Sequence, residues 1–495
     1  MYGYDESNLC IKKGARALYF TQIFSNLSYC IIYSTLVLYG TETLKLSPIL
    51  MTALMGSYVA FNYGLHFLGG YMGGRYISNR WLCVIGISFH AIACFIIAGT
   101  TYTTMMIGLS FFLAGSGLNT TCLNSMVTQL FDDPDDPRRE RAFLYNYSGM
   151  MMGFLFGYTV SGYFQFTHSY GILFFIGGIT SSIAVLFILI YWRYLYDKGT
   201  IFVALSRSKK KKTMLKTYGI LIIIIIALIF LLHYSQLSNL ILIFCAASLI
   251  IITIFIVSRQ KAARDKRRMF VFLLFLIAAF VFYTLYLLAP MGLTLFIAHN
   301  TDLKMFGINI APQWAGNINA IIITLGGPTL AWFLKSMRKK GIKIPLPFLI
   351  SMSLILIGLA YVILPVAIKF ANVNGLTSFN WVIWCYVFQG VGDLCIAPIG
   401  YSMIGKLIPR KLQGMMMGLW LMMAGIGGIM SSYLSKFALG NSDSLNPLVT
   451  NSSYSMTFGI IGITALFFGL IMLIFVPKFY RLINDIPKPL KEAKA

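Results

Sequence analysis

The chain is poor in charge. Of its 495 residues, 11% are Asp, Glu, Lys or Arg and 58% are apolar. A water-exposed globular domain needs more polar surface than that, so a soluble fold is excluded. Acids are the scarcer sign, 15 against 39 Lys and Arg. Cysteine occurs at Cys10, Cys30, Cys83, Cys94, Cys122, Cys245, Cys385 and Cys395, with no CxxC pair, and most of the eight fall inside apolar runs. That pattern argues against disulfides or thiolate metal sites and reads as small apolar filler. Motifs for a nucleophile, a metal or a nucleotide are also lacking, and the polar segments are too short for a catalytic domain. The reading is of a non-enzyme without a cofactor.

What the chain has is apolar runs. Fourteen stretches are long enough to cross a bilayer as helices: 17–39, 50–73, 81–99, 104–131, 142–165, 170–192, 217–233, 237–257, 270–298, 313–334, 345–368, 379–405, 412–435 and 454–476. The expected class is an all-α polytopic membrane protein. The first run is too long, and lacks the small-residue cleavage site, to be a removable signal peptide.

The net charge of +24 raises the question of nucleic acid. Its distribution answers against it. With the amino terminus inside, nearly all Lys and Arg fall on one side: Lys12, Lys13, Arg16, Arg75, Arg80, Lys209 to Lys212, Arg259 to Arg268, Lys335 to Lys343 and Lys478 to Lys494. Only Lys45, Lys304, Lys369 and Lys436 fall on the other. The positive-inside rule then puts both termini in the cytoplasm, and the basic segments lie beside anionic lipid. Membrane lipid is the expected partner; no obligate protein partner is inferred.

The runs 217–233 and 237–257 are Ile- and Leu-rich, nearly free of Gly, and bracketed by "SRSKKKK" and "RQKAARDKRR". Without small residues for close approach, this pair is expected at the periphery, facing lipid. Removing it leaves six runs on each side. The expected organisation is a six-helix half over 1–195, a linker with two extra helices over 196–268, and a second six-helix half over 269–495. Faint similarity supports duplication: "FLGGYMGGRY" against "TLGGPTLAWF", and "GSGLNTTCLNSMVTQLF" against "GVGDLCIAPIGYSMIGKLI". Duplicated halves are the signature of secondary transporters, whose site lies between them near the midplane.

Of the fifteen acids, only Asp393 is deep in a run, with Lys369 and Lys406 its nearest charged neighbours in sequence. Ionising a carboxyl there costs about 2.5–3.5 kcal/mol by insertion scales. The alternatives are a neutral acid bonded to backbone near Pro398, or a group visited by a proton or an amine. On the first helix Gln22, Asn26, Tyr29 and Tyr33 share one face, which reads as a neutral cavity wall or as interhelical glue. Asn119, Thr120 and Asn124 form a similar patch. His66 and His90 read as packing hydrogen bonds. The acid-rich "DDPDDPRRER" is a loop, with Asp136 and Pro137 as the cap and first residue of a helix.

Several stretches carry a resemblance. They are "DLCIAPIGYSMIGKLIPRKLQGMMMGLWLMMAGIGG" (393–428), "DDPRRERAFLYNYSGMMMG" (135–153), "LTLFIAHNTD" (293–302) with "PQWAGNINA" (312–320), and "GGYMGGRYISNR" (69–80). Over nearly its whole length the chain resembles the proton-dependent oligopeptide transporters of the major facilitator superfamily. The resemblance implies two six-helix halves plus an inserted pair. It also implies a cavity lined by Tyr29, Tyr63, Tyr147, Trp314, Asn319 and Trp420, and protons as a second partner.

The departures matter as much. Where the family carries E-x-x-E-R and a further Arg on its first helix, this chain has Gln22, Ser25, Asn26 and Tyr33. The family's fourth-helix lysine falls at Thr120, its fifth-helix asparagine at Met151 and its seventh-helix glutamate at Leu287. The tenth-helix glutamate, which grips a peptide's amino end, becomes Asp393. A substrate carboxylate would meet no cation, a loss of several kcal/mol. An ammonium can still pair with Asp393, helped by cation–π attraction of about 0.5–2 kcal/mol.

The expectation is alternating-access transport of di- or tripeptides or peptide-like amines, proton-coupled through Asp393, in a bacterial cytoplasmic membrane. The alternative is an amine, metabolite or drug moved by antiport or uncoupled diffusion. The expected substrate-contacting residues are Asp393, Asn319, Tyr29, Tyr33, Tyr63, Asn26, Thr120, Tyr147, Trp314 and Trp420.

Overall fold

The ends of the apolar runs are set by side-chain caps. Ser47, Ser78 and Ser378 each accept a backbone N–H of the first turn of the helix that follows, and Thr101 forms a reciprocal capping box with Thr104. Asp136 accepts the Arg138 N–H at 2.8 Å, with Pro137 as first helical residue.

In the computed structural model, which describes residues 2–131, 136–260, 262–342, 344–409, 412–440 and 445–484, the chain is almost entirely helical. The first six long helices are α1 (Tyr2–Leu38), α2 (Pro48–Met72), α3 (Asn79–Ile97), α4 (Tyr102–Gln129), α5 (Pro137–Thr167) and α6 (Tyr170–Ile190). A short α7 (Ile201–Ala204) leads to α8 (Arg207–His233) and α9 (Ser235–Ser258). Then come α10 (Ala263–Tyr286), α11 (Thr294–Asn300), α12 (Ala315–Lys339), α13 (Leu346–Lys369), α14 (Phe379–Leu407), α15 (Gln413–Ala438) and α16 (Pro447–Asn484). Asp132, Asp133, Asp135, Lys343, Asp443, Asp485 and Glu492 lie outside the described residues.

Twelve of these helical segments are long and apolar enough to cross a membrane; α2 and α5 are equally long but carry more polar residues. The chain is an integral membrane protein of major facilitator architecture. The ninth expected span is a broken one. Pro290 lacks an N–H, and the helix departs from regular geometry over Ala289–Leu293 before resuming as α11. Strands are vestigial: β1 (Thr301–Asp302) pairs in parallel with β4 (Thr377–Ser378), and β2 (Lys304–Met305) forms a hairpin with β3 (Ile308–Asn309).

Helices α1–α6 pack mainly on each other, as do α10–α16. The two groups meet where α2 lies along α15 and α5 along the start of α12. The basic segments mark one end of the bundle; Glu42, Thr167 and Thr301 mark the far end. Contact is tight toward the far end, where a Cβ on Gly56 would stand 2.7 Å from the Ser432 Cβ. Toward the basic end α2 and α15 part: a Cβ on Gly418 would find only Phe67, at 3.7 Å, and Phe67 is exposed.

The helices α8 and α9 lie on the outside with most Ile and Leu exposed, α8 against α4, and α9 against α2 and α15. Asn239 is buried and its Oδ1 accepts from Ser57 Oγ of α2 at 3.0 Å. At the basic end Asp197 is buried and both carboxylate oxygens accept the Asn79 N–H, at 2.9 and 3.1 Å, which caps α3 a second time. Burial pushes the Asp197 carboxyl above its usual range, the Asn79 bonds and the Arg80 charge opposing. Asp136, half-buried, goes the other way, held low by its bonds to Arg138.

Candidate functional site

The seam between the helix groups encloses a cavity of about 270 Å³. From the first group it is lined by Tyr29 and Tyr33 of α1, Tyr63 of α2, and Tyr147, Met151, Phe154 and Tyr158 of α5. From the second come Tyr283 and Tyr286 of α10, Leu287, Asn319 of α12, Asp393 of α14 and Trp420 of α15. The lining thus holds one acid, and no Lys, Arg or His among the described residues. Asp393 is 8% exposed.

The aromatic wall is ordered by its own contacts. Tyr29 and Tyr33 stack at 5.7 Å, one helical turn apart, and Tyr283 meets Trp420 edge-on at 6.4 Å. Asn62 Nδ2 donates to Tyr29 Oη at 3.2 Å, and Asn319 Nδ2 donates to Tyr286 Oη at 3.0 Å. These bonds fix two phenols and leave the Asn319 Oδ1 buried without a partner.

Seven of the ten residues named from sequence line this cavity: Tyr29, Tyr33, Tyr63, Tyr147, Asn319, Asp393 and Trp420. Three stand elsewhere. Asn26 turns its amide back onto Gln22, donating to the carbonyl at 2.8 Å and to Oε1 at 2.7 Å. Thr120 is half-buried on α4, beside Asn119, which donates to Ser25 Oγ at 2.9 Å and so serves as interhelical glue. Trp314 belongs to the far-end contact, where its Nε1 donates to the Thr159 carbonyl at 3.1 Å. His90 bonds Ser116 at 2.9 Å and stacks on Phe112, a packing role.

Sequence reasoning passed over Tyr158, Tyr283 and Tyr286. A signal was there. Tyr147, Met151, Phe154 and Tyr158 recur at helical spacing on α5, and Tyr283 and Tyr286 are three apart on α10. Met151 and Leu287, at the places where the resemblance puts an asparagine and a glutamate, present apolar groups to the same cavity.

A helical bundle split by such a cavity is the architecture of a secondary transporter. A family model described as PTR2, the POT family, matches residues 77–446, and the chain belongs to that family of peptide transporters. A dipeptide and tripeptide permease A of Salmonella typhimurium is 26% identical over 476 residues, covering 96% of this chain and 94% of that protein. One from Chromobacterium violaceum is 24% identical, covering 91% and 90%. Among solved structures, the fold is similar to that of a peptide transporter POT in complex with sulfate, with a TM-score of 0.82, 22% identity and 95% of each chain covered. It is also similar to a POT family transporter in complex with 5-aminolevulinic acid, with a TM-score of 0.80, 21% identity and 94% and 96% covered.

Proposed function

We propose that this protein carries di- or tripeptides, or peptide-like amines, across a bacterial cytoplasmic membrane by alternating access, with Asp393 receiving the positive charge. The observation that carries the reading is the lone buried carboxyl in the wall of an aromatic cavity at the seam. In such a wall the acid has two stable uses: it holds a proton, or it pairs with an ammonium group. The tyrosines and Trp420 supply faces for a cation, about 0.5–2 kcal/mol each way of approach. Proton coupling follows if proton and ammonium exchange at the same carboxyl.

The far-end contacts and the parted basic end fit one state of such a cycle, with the halves 1–195 and 269–495 rocking about the cavity and the termini cytoplasmic. In that orientation the described state opens inward.

A second reading has its own support. Met151 and Leu287 present apolar groups to the cavity, and no cation faces it among the described lining residues. A substrate carboxylate would stay unpaired there, at a cost of about several kcal/mol. Solutes with an amine and no carboxylate are then favoured over zwitterionic peptides.

Reconstituted vesicles decide between these readings. Labelled dipeptides and labelled amines are offered with and without a pH gradient, to the natural protein and to Asp393→Asn. Gradient-driven dipeptide uptake lost in the variant supports the first reading. Amine flux with dipeptides ignored supports the second. Equal flux in both proteins for every solute removes Asp393 from the mechanism.

A further inference from the structure

A second carboxyl lies at the other end of the seam. Glu42 ends the widened last turn of the first helix, over Tyr39–Thr43, with its side chain about one-fifth exposed. Its Oε2 accepts from Gln165 Nε2 at 2.7 Å and lies 2.9 Å from Tyr170 Oη and 3.3 Å from His168 Nδ1. Gln165 is itself a bridge between helix groups: its Oε1 accepts from Gln313 Nε2 at 2.7 Å, and Gln313 lies in the turn before α12. Gln165, Tyr170 and Gln313 are all more than nine-tenths buried.

The proton count of this cluster is informative. The Gln165 amide has its orientation fixed, since one end donates to Glu42 and the other accepts from Gln313. Tyr170 Oη then faces two acceptors, Glu42 Oε2 at 2.9 Å and Gln165 Oε1 at 2.5 Å. A phenol has one proton. With Glu42 ionised, one of these two contacts is oxygen against oxygen with nothing between. With a proton on Oε2, Glu42 donates to Tyr170, Tyr170 donates to Gln165, and Gln165 donates back to Glu42. The ring closes only in that form.

Beyond Gln313 lies a small cavity of about 40 Å³, room enough for water, which shares Tyr33, Tyr158, Tyr286 and Asn319 with the main cavity. The Gln313 Oε1 is buried there without a partner.

We propose that Glu42 is a proton-binding site that locks the far end of the seam, distinct from Asp393. The proton comes from water at the exposed edge of Glu42 and returns to it on release. Bound, it completes the ring that holds Gln165 in place for Gln313. Released, it leaves Tyr170 and Gln165 mismatched and weakens the link between helix groups. The other titratable groups facing Glu42 are His168 and Tyr170 and, from α11, His299, whose Nε2 is buried without a partner. The proposal rests on the transport reading only in taking the far end to open during a cycle.

The test is a distance measurement across the far end. Spin labels are placed at Thr103→Cys and Val373→Cys, in a chain with Cys10 and Cys245 replaced by alanine, in lipid nanodiscs. In the otherwise natural protein the short-distance population should gain on the long one by about tenfold as pH is lowered. Glu42→Gln has no proton to bind, and its amide cannot both donate to Tyr170 and accept from Gln165 at one atom, so its distance should be the same at high and low pH. Tyr170→Phe should lose the response and carries the test if Glu42→Gln does not fold. His168→Asn, His299→Gln and Asp393→Asn should keep it. A pH-independent distance in the natural protein overturns the proposal, as does a full response in Glu42→Gln or a response lost in either histidine variant. Asp393→Asn separates the two readings, because lost flux with an intact far-end response sinks neither this site nor its link to the seam.

Discussion

Replacing Gly162 by alanine puts one methyl group into the tightest contact between α5 and the start of α12. The added Cβ would stand 2.2 Å from Trp314 Nε1, 2.3 Å from its Cδ1 and 2.8 Å from the Ala311 Cβ. Contacts that short require movement, and an indole on a helix start yields less readily than the tip of a flexible chain. Trp314 must swing away, which breaks its 3.1 Å bond to the Thr159 carbonyl and disturbs its edge contact with Phe166 at 5.6 Å. The lost bond is worth about 0.5–1.5 kcal/mol and overpacking costs about 1–3 kcal/mol. These overlap, so about 2–3 kcal/mol against the closed far end is a fair figure, or about 30–150-fold in population. The clash exists only while the helix groups touch there, so the open form escapes it. Labels at Thr103 and Val373 should report a longer distance, and the maximal uptake rate should fall. Gly64→Ala is the control, because a Cβ there meets nothing within 4 Å. If Gly162→Ala matches that control within about twofold in distance populations and uptake, the closed far end described here is not part of the working cycle.

Asp393→Asn keeps the shape and removes the charge, so amine or peptide uptake should drop by about 10–150-fold, the worth of a charge-assisted bond, in vesicle flux. Asn26→Arg with Thr120→Lys should tighten dipeptide binding, by about tenfold or more in competition assays, if the missing cation limits affinity. Neither position is in the lining of the cavity, so the test depends on the reach of the long side chains introduced. Asp197→Ala should lower stability by about 0.5–2 kcal/mol through loss of the α3 cap, read by thermal unfolding in detergent. Because burial holds the Asp197 carboxyl high, the folded chain binds its proton more tightly than the unfolded one. That contribution is complete at acidic pH and fades as pH rises out of the ordinary carboxylate range through the folded value, so Asp197→Asn should flatten the stability profile across that rise.

The helices were legible because each had to be apolar over a bilayer's thickness, and Asp393 because nothing charged lies near it in the chain. Their ends were less so: α1 runs back to Tyr2 through Lys12, Lys13 and Arg16, since a helix leaving the membrane has no reason to stop at its first charge. The bend at Pro290 broke one expected span into two pieces. Asn26 and Thr120 were read from polar helix faces and from resemblance, yet neither lines the cavity, and Asn26 spends its amide on Gln22. Asp197 lies outside every apolar run and yet is buried, as a second cap on α3. The Glu42 cluster could not be read at all, because residues 42, 165 and 170 meet only once the first six helices pack, and 313 joins them only where the helix groups touch.

The inserted pair is fastened unequally. Its entry is pinned to the first six helices, through Asp197 on Asn79 and the Phe202 N–H on the Gly74 carbonyl, and Asn239 is tied to Ser57. Against α15 it shows packing of apolar side chains. If the bundle rocks, α8 and α9 should travel with the first group as ballast. Their oily flank can then glide over α15, and the slack must be taken up between α9 and α10.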